Sequence, residues 1–503
     1  MIPEVVAEAA ERYGDRAAVV SSVGWTLTYA DLDALSAEAA AGLIHRGVGP
    51  GDVVALCLPS APEYVVAYAA VAKVGAATAG VNPRLTPAER SACLTAARPT
   101  LTLATTDLLP GEAGKVLEVE RATNVDSILP NLRLHGITAP AVPVLDVDPT
   151  RVVSVVFTSG TTGNPKGAVF TNTQLSAIEA ADTGGTATWG AGSDQLAATQ
   201  FAHVGTMTKL PWQLRSGATF HLLARWRAAD ALAKLAELKV PVVAGVPPQI
   251  ALMLRDPTFD DHDWSHVHGI VAGGGPATPA LVAEAQERFG APFSIRYSST
   301  ESGGVGCGTS FDAADEERLE TVGRPRGPVE MSLRDDTGTV VADGDVGEVC
   351  FRSPAACIGY WRDEAASAAL GWSDGFVRMS DEGRVLTGGA AAGCLQLVGR
   401  TKEMFVRGGY NVYPMEVEAV LAAHPAVAEV AIVPRSDDVM GDIGVAVVVP
   451  RSTARPPSLD ELRELGATRL SNHKLPEALE IAEALPRTAM DKLDRGQLTR
   501  EFA

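Results

Sequence analysis

The residues best equipped for chemistry stand together at Thr158-Ser-Gly-Thr-Thr-Gly-Asn-Pro-Lys-Gly167. Glycine lets the backbone turn tightly and bring its N–H groups close to an anion. The hydroxyls of Thr158, Ser159, Thr161 and Thr162 add neutral donors, and Lys166 adds a point charge suited to phosphate. An ordinary turn uses the same residue types, so composition alone leaves both readings open. A Walker A loop is excluded: counting from Gly160, the position before the lysine is Pro165 instead of glycine, and the one after is Gly167 instead of Ser or Thr. The apolar run Val152–Phe157 leads into the loop and predicts a buried strand.

Further stretches raise the phosphate reading above the turn. In chain order they are Phe201-Ala-His203-Val-Gly205, Gly273-Gly-Gly-Pro276, Tyr297-Ser-Ser-Thr-Glu301, Met379-Ser-Asp381, Gly399-Arg-Thr-Lys402 running on to Gly408-Gly409 and Pro414, and Leu485-Pro-Arg-Thr-Ala-Met-Asp-Lys492. With the first loop, this set resembles the adenylate-forming superfamily of acyl-CoA synthetases, adenylation domains and beetle luciferases, and most of all an acyl-CoA synthetase. The resemblance covers residues 25–495 with its motifs in family order.

The resemblance implies roles residue by residue. The loop Thr158, Ser159, Gly160, Thr161, Thr162, Gly163 would hold ATP phosphates with Lys166. Glu301, with Thr161, would hold Mg²⁺ on the triphosphate, since a hard cation wants oxygen ligands. Thr300 would contact the α-phosphate. Tyr297 would flank adenine, with Ser298 and Ser299 in the same nucleotide-binding motif and Ser298 where the family has glycine. Adenine would pack on Gly273, Gly274, Gly275 and Pro276, and His203 would stand beside the acyl site. Asp381 would take the ribose hydroxyls, although Met379 and Ser380 replace the family's Thr-Gly. Arg400 would pair with ribose or phosphate. Lys402 would be the hinge, and Gly408 and Gly409 would line a channel for the pantetheine of coenzyme A. Lys492 would reach the carboxylate and the α-phosphate, and Asp491 replaces a family glycine beside it. The implied activity is two-step: a carboxylic acid and ATP give acyl-AMP and pyrophosphate, then coenzyme A takes the acyl group.

The elements that must position these residues follow from the pattern. Strand-like runs at 240–245, 269–272 and 293–297 each open into a Gly-, Pro- or hydroxyl-rich turn. In parallel sheets ligands bind beyond the C-terminal strand ends, which predicts that these turns and the phosphate loop converge on one crevice. The first 105 residues alternate helix and strand patterns, residues 106–150 are irregular, and 329–352 read as β-hairpins. After Gly399-Arg-Thr-Lys402 comes a compact α+β segment with helices at 414–423 and 459–472. The expected architecture is a large α/β N-terminal domain, 1–399, of mainly parallel sheets with helices and a β-rich subdomain. A small mobile α+β domain, 400–503, hinged at 400–402, follows it.

With 61 acidic against 42 basic residues the net charge is −19, which disfavours nucleic acid or an anionic membrane as partner. The apolar stretch 65–81 contains Lys73 and two glycines and predicts a core helix, not an integral membrane span. Residues 1–12 form an acidic amphipathic pattern without the features of a signal peptide. Six scattered cysteines read as free thiols in a reducing, cytoplasmic setting. A homodimer is an open expectation. Two rival functions also stay open. An enzyme loading an amino acid onto a carrier protein would hold the amino group with an aspartate, and no acidic residue stands between His203 and Leu222. A nucleotide binder that has lost catalysis is kept open by the departures at Ser298, Ser380 and Asp491. Lys209, among apolar residues after His203, is expected to pair with a protein carboxylate or, alternatively, to read a second polar group on the acid.

Overall fold

The computed structural model describes residues 1–109, 114–134, 140–158, 165–186, 189–197, 199–400, 403–407, 410–437, 439–488 and 492–502, with the backbone alone at Asn411. A six-stranded sheet runs in the order 116–119, 101–105, 53–57, 77–80, 152–158, 166–171. All its neighbours are parallel except the last pair. The helix Pro62–Lys73 covers this sheet. Its small Ala side chains allow close approach, Pro62 opens it where no N–H is needed, and every residue in it is buried. Lys73 keeps its charge satisfied on Asp33 at 2.7 Å. Among the described residues no helix is long and apolar enough to cross a membrane.

A second sheet places the strands 242–245, 269–273 and 293–297 side by side and parallel, as their apolar runs predict, then adds two short antiparallel strands. The β-rich part is an antiparallel meander of 330–334, 347–352, 377–385 and 395–400, with a turn at 335–338 closed by the Gly338 N–H on Asp335 O at 3.1 Å. The last segment carries a sheet of 410–412, 405–407, 441–450 and 427–437, with 478–481 parallel to 441–450. Its helices Pro414–Leu421 and Leu459–Ala467 are shorter than the periodicity predicts, because turns at Ala422 and Thr468 end them. Among its described residues the irregular region holds a strand that periodicity does not reveal, Val116–Val119; it lies at the sheet edge with one buried residue, so it needs little apolar signal.

The last segment docks on the meander. The Tyr413 hydroxyl donates to Glu382 at 2.5 Å, and Arg384 lies 3.5 Å from Glu416, which Lys474 of the same segment also pairs at 2.6 Å. Gly399 lets the Tyr413 ring sit close, since a Cβ there would stand 2.8 Å from the ring. All six cysteines are free and buried.

Candidate active site

The antiparallel register of 377–385 on 395–400 sets Asp381 opposite Arg400. Arg400 Nε lies 3.0 Å from Asp381 Oδ1, and Tyr297, the last residue of its strand, donates its hydroxyl to Oδ2 at 2.8 Å. Burial raises the Asp381 pKa, and Arg400 and the Tyr297 hydrogen bond oppose that rise. The register against 347–352 shifts between Glu348 and Cys350, and Ser380 in the facing stretch adopts φ +60°. A bulge of this kind re-aims one side chain beside a site. Ser380 thus holds the backbone conformation that the resembled glycine takes freely, at a cost of ~1–2 kcal/mol for a residue with a Cβ. Ser380→Val should lower unfolding stability by about 2 kcal/mol or more, because a β-branched residue tolerates this φ least, while Ser380→Gly should be neutral to mildly stabilising. Thermal melts ranking the valine variant at or above the wild type would contradict the strained geometry.

Glu301 follows the strand end at Tyr297 through a tight turn in which Gly303 and Gly304 both take φ +72°. The Gly303 N–H donates to Thr300 O at 3.0 Å, and the Gly304 N–H to Ser299 O at 3.1 Å. Ser299 and Ser302 brace the turn through reciprocal side-chain bonds, the Ser299 N–H donating to Ser302 Oγ at 3.0 Å and the Ser302 N–H to Ser299 Oγ at 3.1 Å. Tyr360 donates its hydroxyl to Glu301 Oε1 at 2.8 Å, and Lys166 Nζ sits 5.2 Å from the centre of the same ring. Tyr360 therefore joins the lysine of the phosphate loop to the carboxylate of the second sheet.

Thr158 and Lys166 face each other as the last register pair of an antiparallel hairpin. The phosphate loop is therefore a hairpin connection and not a strand-to-helix turn. Ser159, Gly160, Thr161, Thr162 and Gly163 lie outside the described residues, as do Lys402, Gly408, Gly409 and Asp491.

The glycine-rich turn keeps an open face. Gly274 takes φ +79°; added Cβ atoms at Gly274 and Gly275 would meet only Val246 at 3.6 Å and Pro247 at 3.7 Å. Gly273 is different, because a Cβ there would stand 2.8 Å from Arg296 O. Val-Pro-Pro at 246–248 is not the expected turn: Val246 caps and Pro247 opens the helix Pro247–Arg255, because proline suits a first helical turn, and these two residues pack beside the glycine-rich turn.

His203 caps the short helix Val204–Met207. Asn82 Oδ1 accepts from the Arg84 N–H at 2.9 Å, so its NH₂ faces His203 Nε2, 3.1 Å away. Nε2 is then the acceptor and the proton belongs on Nδ1. Burial, then the charges of Lys492 and Arg84, pull the His203 pKa down to about 4. The imidazole is neutral at physiological pH, and folding stability tied to it is complete above the unfolded value near 6.5 and falls as pH drops below that.

Lys492 comes from the last segment, on a turn closed by the bridge between Arg487 and Leu493. The residue as a whole is exposed. Burial and the Arg400 guanidinium hold its pKa below the ordinary lysine range, while Asp381 and Glu301 act in the opposite sense. Lys492 therefore stands within electrostatic reach of His203, Glu301, Asp381 and Arg400, residues separated by up to 289 positions between His203 and Lys492 (492 − 203). Lys209 pairs with Asp182 at 2.7 Å, the first of its two expected fates.

Three contributors escaped the sequence reading. Asn82 and Arg84 follow the strand 77–80 in an Asn-Pro-Arg turn, the same strand-into-turn signal that marked the other loops. Tyr360 carried no such signal.

The AMP-binding enzyme family model matches residues 6–361, and the AMP-binding enzyme C-terminal domain model matches 416–492. The chain belongs to the AMP-binding enzyme family, the adenylate-forming superfamily, and is most like its acyl-CoA synthetases. It is 32% identical to the Mycobacterium tuberculosis 3-[(3aS,4S,7aS)-7a-methyl-1,5-dioxo-octahydro-1H-inden-4-yl]propanoyl:CoA ligase over 92% of this chain and 91% of that one. It is 30% identical to feruloyl-CoA synthase of an Amycolatopsis species, over 98% and 97%. The solved amide bond synthetase McbA from Marinactinospora thermotolerans superposes with TM-score 0.86 over 100% of both chains, at 27% identity.

Proposed function

We propose that this chain is an ATP-dependent acid–CoA ligase, forming acyl-AMP and pyrophosphate and then acyl-CoA and AMP. The reading is supported by Lys492, which the last segment brings within electrostatic reach of Glu301, Asp381, Arg400 and His203. In the first half-reaction the acid's carboxylate attacks the α-phosphorus in line, and the chain contributes position and charge. Asp381 takes the ribose hydroxyls and Arg400 stands beside it. The open face of Gly274-Gly275 receives adenine next to Tyr297. Lys166 and Lys492 offset the charge that develops on phosphate oxygens, with Thr300 as a neutral donor. His203, neutral and held by Asn82, flanks the acid without adding charge.

Glu301 fits a divalent cation held chiefly by phosphate oxygens, since such a site asks for one or two carboxylates. Among the described residues no group of three or more His, Cys, Asp or Glu is placed to hold one unaided. When bound, Mg²⁺ would neutralise triphosphate charge. Glu301→Gln should raise the Mg²⁺ concentration for half-maximal adenylation on the order of tenfold, as an amide oxygen is the weaker ligand for a hard cation. An unchanged Mg²⁺ titration would move the metal elsewhere.

The domain boundary falls at 399/400 in this reading, between the two matched family models, with the hinge at 400–402. After pyrophosphate leaves, the small domain turns, Lys492 withdraws, and Gly408-Gly409 faces the site for coenzyme A. The acid is fatty, alicyclic or aryl. The names of the ring-bearing propanoyl and feruloyl ligases support this, as do small or apolar residues (Gly205, Thr206, Met207) after His203. Six buried free thiols suit a cytoplasmic enzyme.

The test is ATP–pyrophosphate exchange over a panel of such acids, followed by product analysis with and without coenzyme A. Exchange together with CoA-dependent thioester supports the ligase. Exchange without thioester redirects the acyl group to an amine or carrier protein, and absence of exchange leaves a nucleotide binder.

A further inference from the structure

The wall behind His203 carries an ion pair that adenylation does not use. Lys209 caps the helix Leu210–Ser216, and its Nζ lies 2.7 Å from Asp182 Oδ2 on the helix Asn172–Thr183. Both side chains are withdrawn from solvent, at 19% and 9% exposure. The Lys209 stem lies against Gly304, where an added Cβ would meet Lys209 Cε at 3.5 Å and Val204 Cγ2 at 3.6 Å. Gly304 is three residues past Glu301, and Val204 follows His203. The Lys209–Asp182 pair therefore packs beside the Val204 side chain that follows His203 and the Gly304 turn that follows Glu301.

An ammonium has three N–H donors, and the single side-chain hydrogen bond of Lys209 among the described residues goes to Asp182. Among the described residues no other side-chain hydrogen bond to Lys209 or Asp182 is present, and the Arg296 guanidinium acts on Asp182 only through its charge. A tail that offers no acceptor gives these largely shielded donors nothing in exchange for the water it displaces, which is costly. A second carboxylate on the acid would meet a lysine already neutralised and an aspartate of its own sign.

We propose that Lys209–Asp182 selects the acid, favouring a neutral polar group such as a ketone or hydroxyl at the distal end over a plain tail or a second carboxylate. The inference rests on the acid–CoA ligase reading. It is distinct from the bland role of a strut between two helices, which the neighbouring pair Arg215–Glu179 at 2.8 Å already fills.

The experiment compares kcat/KM for a fatty-acid series, its (ω−1)-oxo counterparts and its ω-carboxy counterparts, in the wild type, Lys209→Met and Asp182→Asn. The expected wild-type preference is about tenfold or more for the oxo acid, the scale of one discriminating hydrogen bond. Lys209→Met should erase that preference through KM of the oxo acid while sparing the plain one. Asp182→Asn keeps the shape but frees the ammonium, and should raise use of the ω-carboxy acid by about tenfold, the scale of one charge-assisted hydrogen bond. An equal response of all three acids in both variants would overturn the proposal and leave a strut. No turnover of any acid by the wild type would instead strike the ligase reading, and the selectivity with it.

Discussion

Lys492→Ala is expected to lose about 10²–10³-fold in acyl-AMP formation, the scale of removing one preorganised group that stabilises developing charge. Transfer from supplied acyl-AMP to coenzyme A should hardly change. The asymmetry follows from position. Lys492 comes within electrostatic reach of His203, Glu301, Asp381 and Arg400 because the last segment is docked on the meander. Its charge matters while a triphosphate is in place and has nothing to neutralise once pyrophosphate has left. Single-turnover assays of the separate half-reactions read this directly, and an equal loss in both would show Lys492 to be structural.

Asp381→Asn is expected to raise the KM for ATP by about 10–100-fold, since a hydrogen bond to a charged group is worth ~1.5–3 kcal/mol. The amide keeps the shape and can still accept from Tyr297, so unfolding stability should move far less than nucleotide affinity. Arg400 then lacks the carboxylate 3.0 Å away, and its freed charge lowers the Lys492 pKa further. The acid limb of adenylation should be unaffected by His203 above pH 5, because that imidazole titrates at about 4. An unchanged KM for ATP would take Asp381 out of ribose binding.

Much of this was legible because the chemistry sits at strand ends. The runs at 242–245 and 269–273 are short and apolar, 293–297 alternates apolar and polar residues, and each gives way within two residues to proline, glycine or serine. What hid were the relations between distant elements. The hairpin geometry of the phosphate loop depends on 166–171 pairing back on 152–158, and the Lys166–Gly167 stretch gives no local sign of it. Ser380 reads as a departure from a glycine motif, and only its φ of +60° shows that the backbone kept the glycine-like shape. Tyr360 reaches Glu301 across 59 residues, and a tyrosine followed by Trp361 and Arg362 looks like any surface turn. Lys209 was recognisable as anomalous, but its partner Asp182 lies 27 residues earlier on another helix.

The contacts of Tyr413 with Glu382 and of Arg384 with Glu416 amount to a latch. Each is partly buried and worth on the order of 1 kcal/mol, so together they bias the two arrangements by about thirtyfold. In the proposed cycle that bias sets the resting poise: the enzyme waits open to ATP and acid, and closed to its thiol. Substrate order then needs no separate gatekeeper. Coenzyme A is admitted last because the latch must first be undone, and the departure of pyrophosphate removes what Lys492 was holding it shut against.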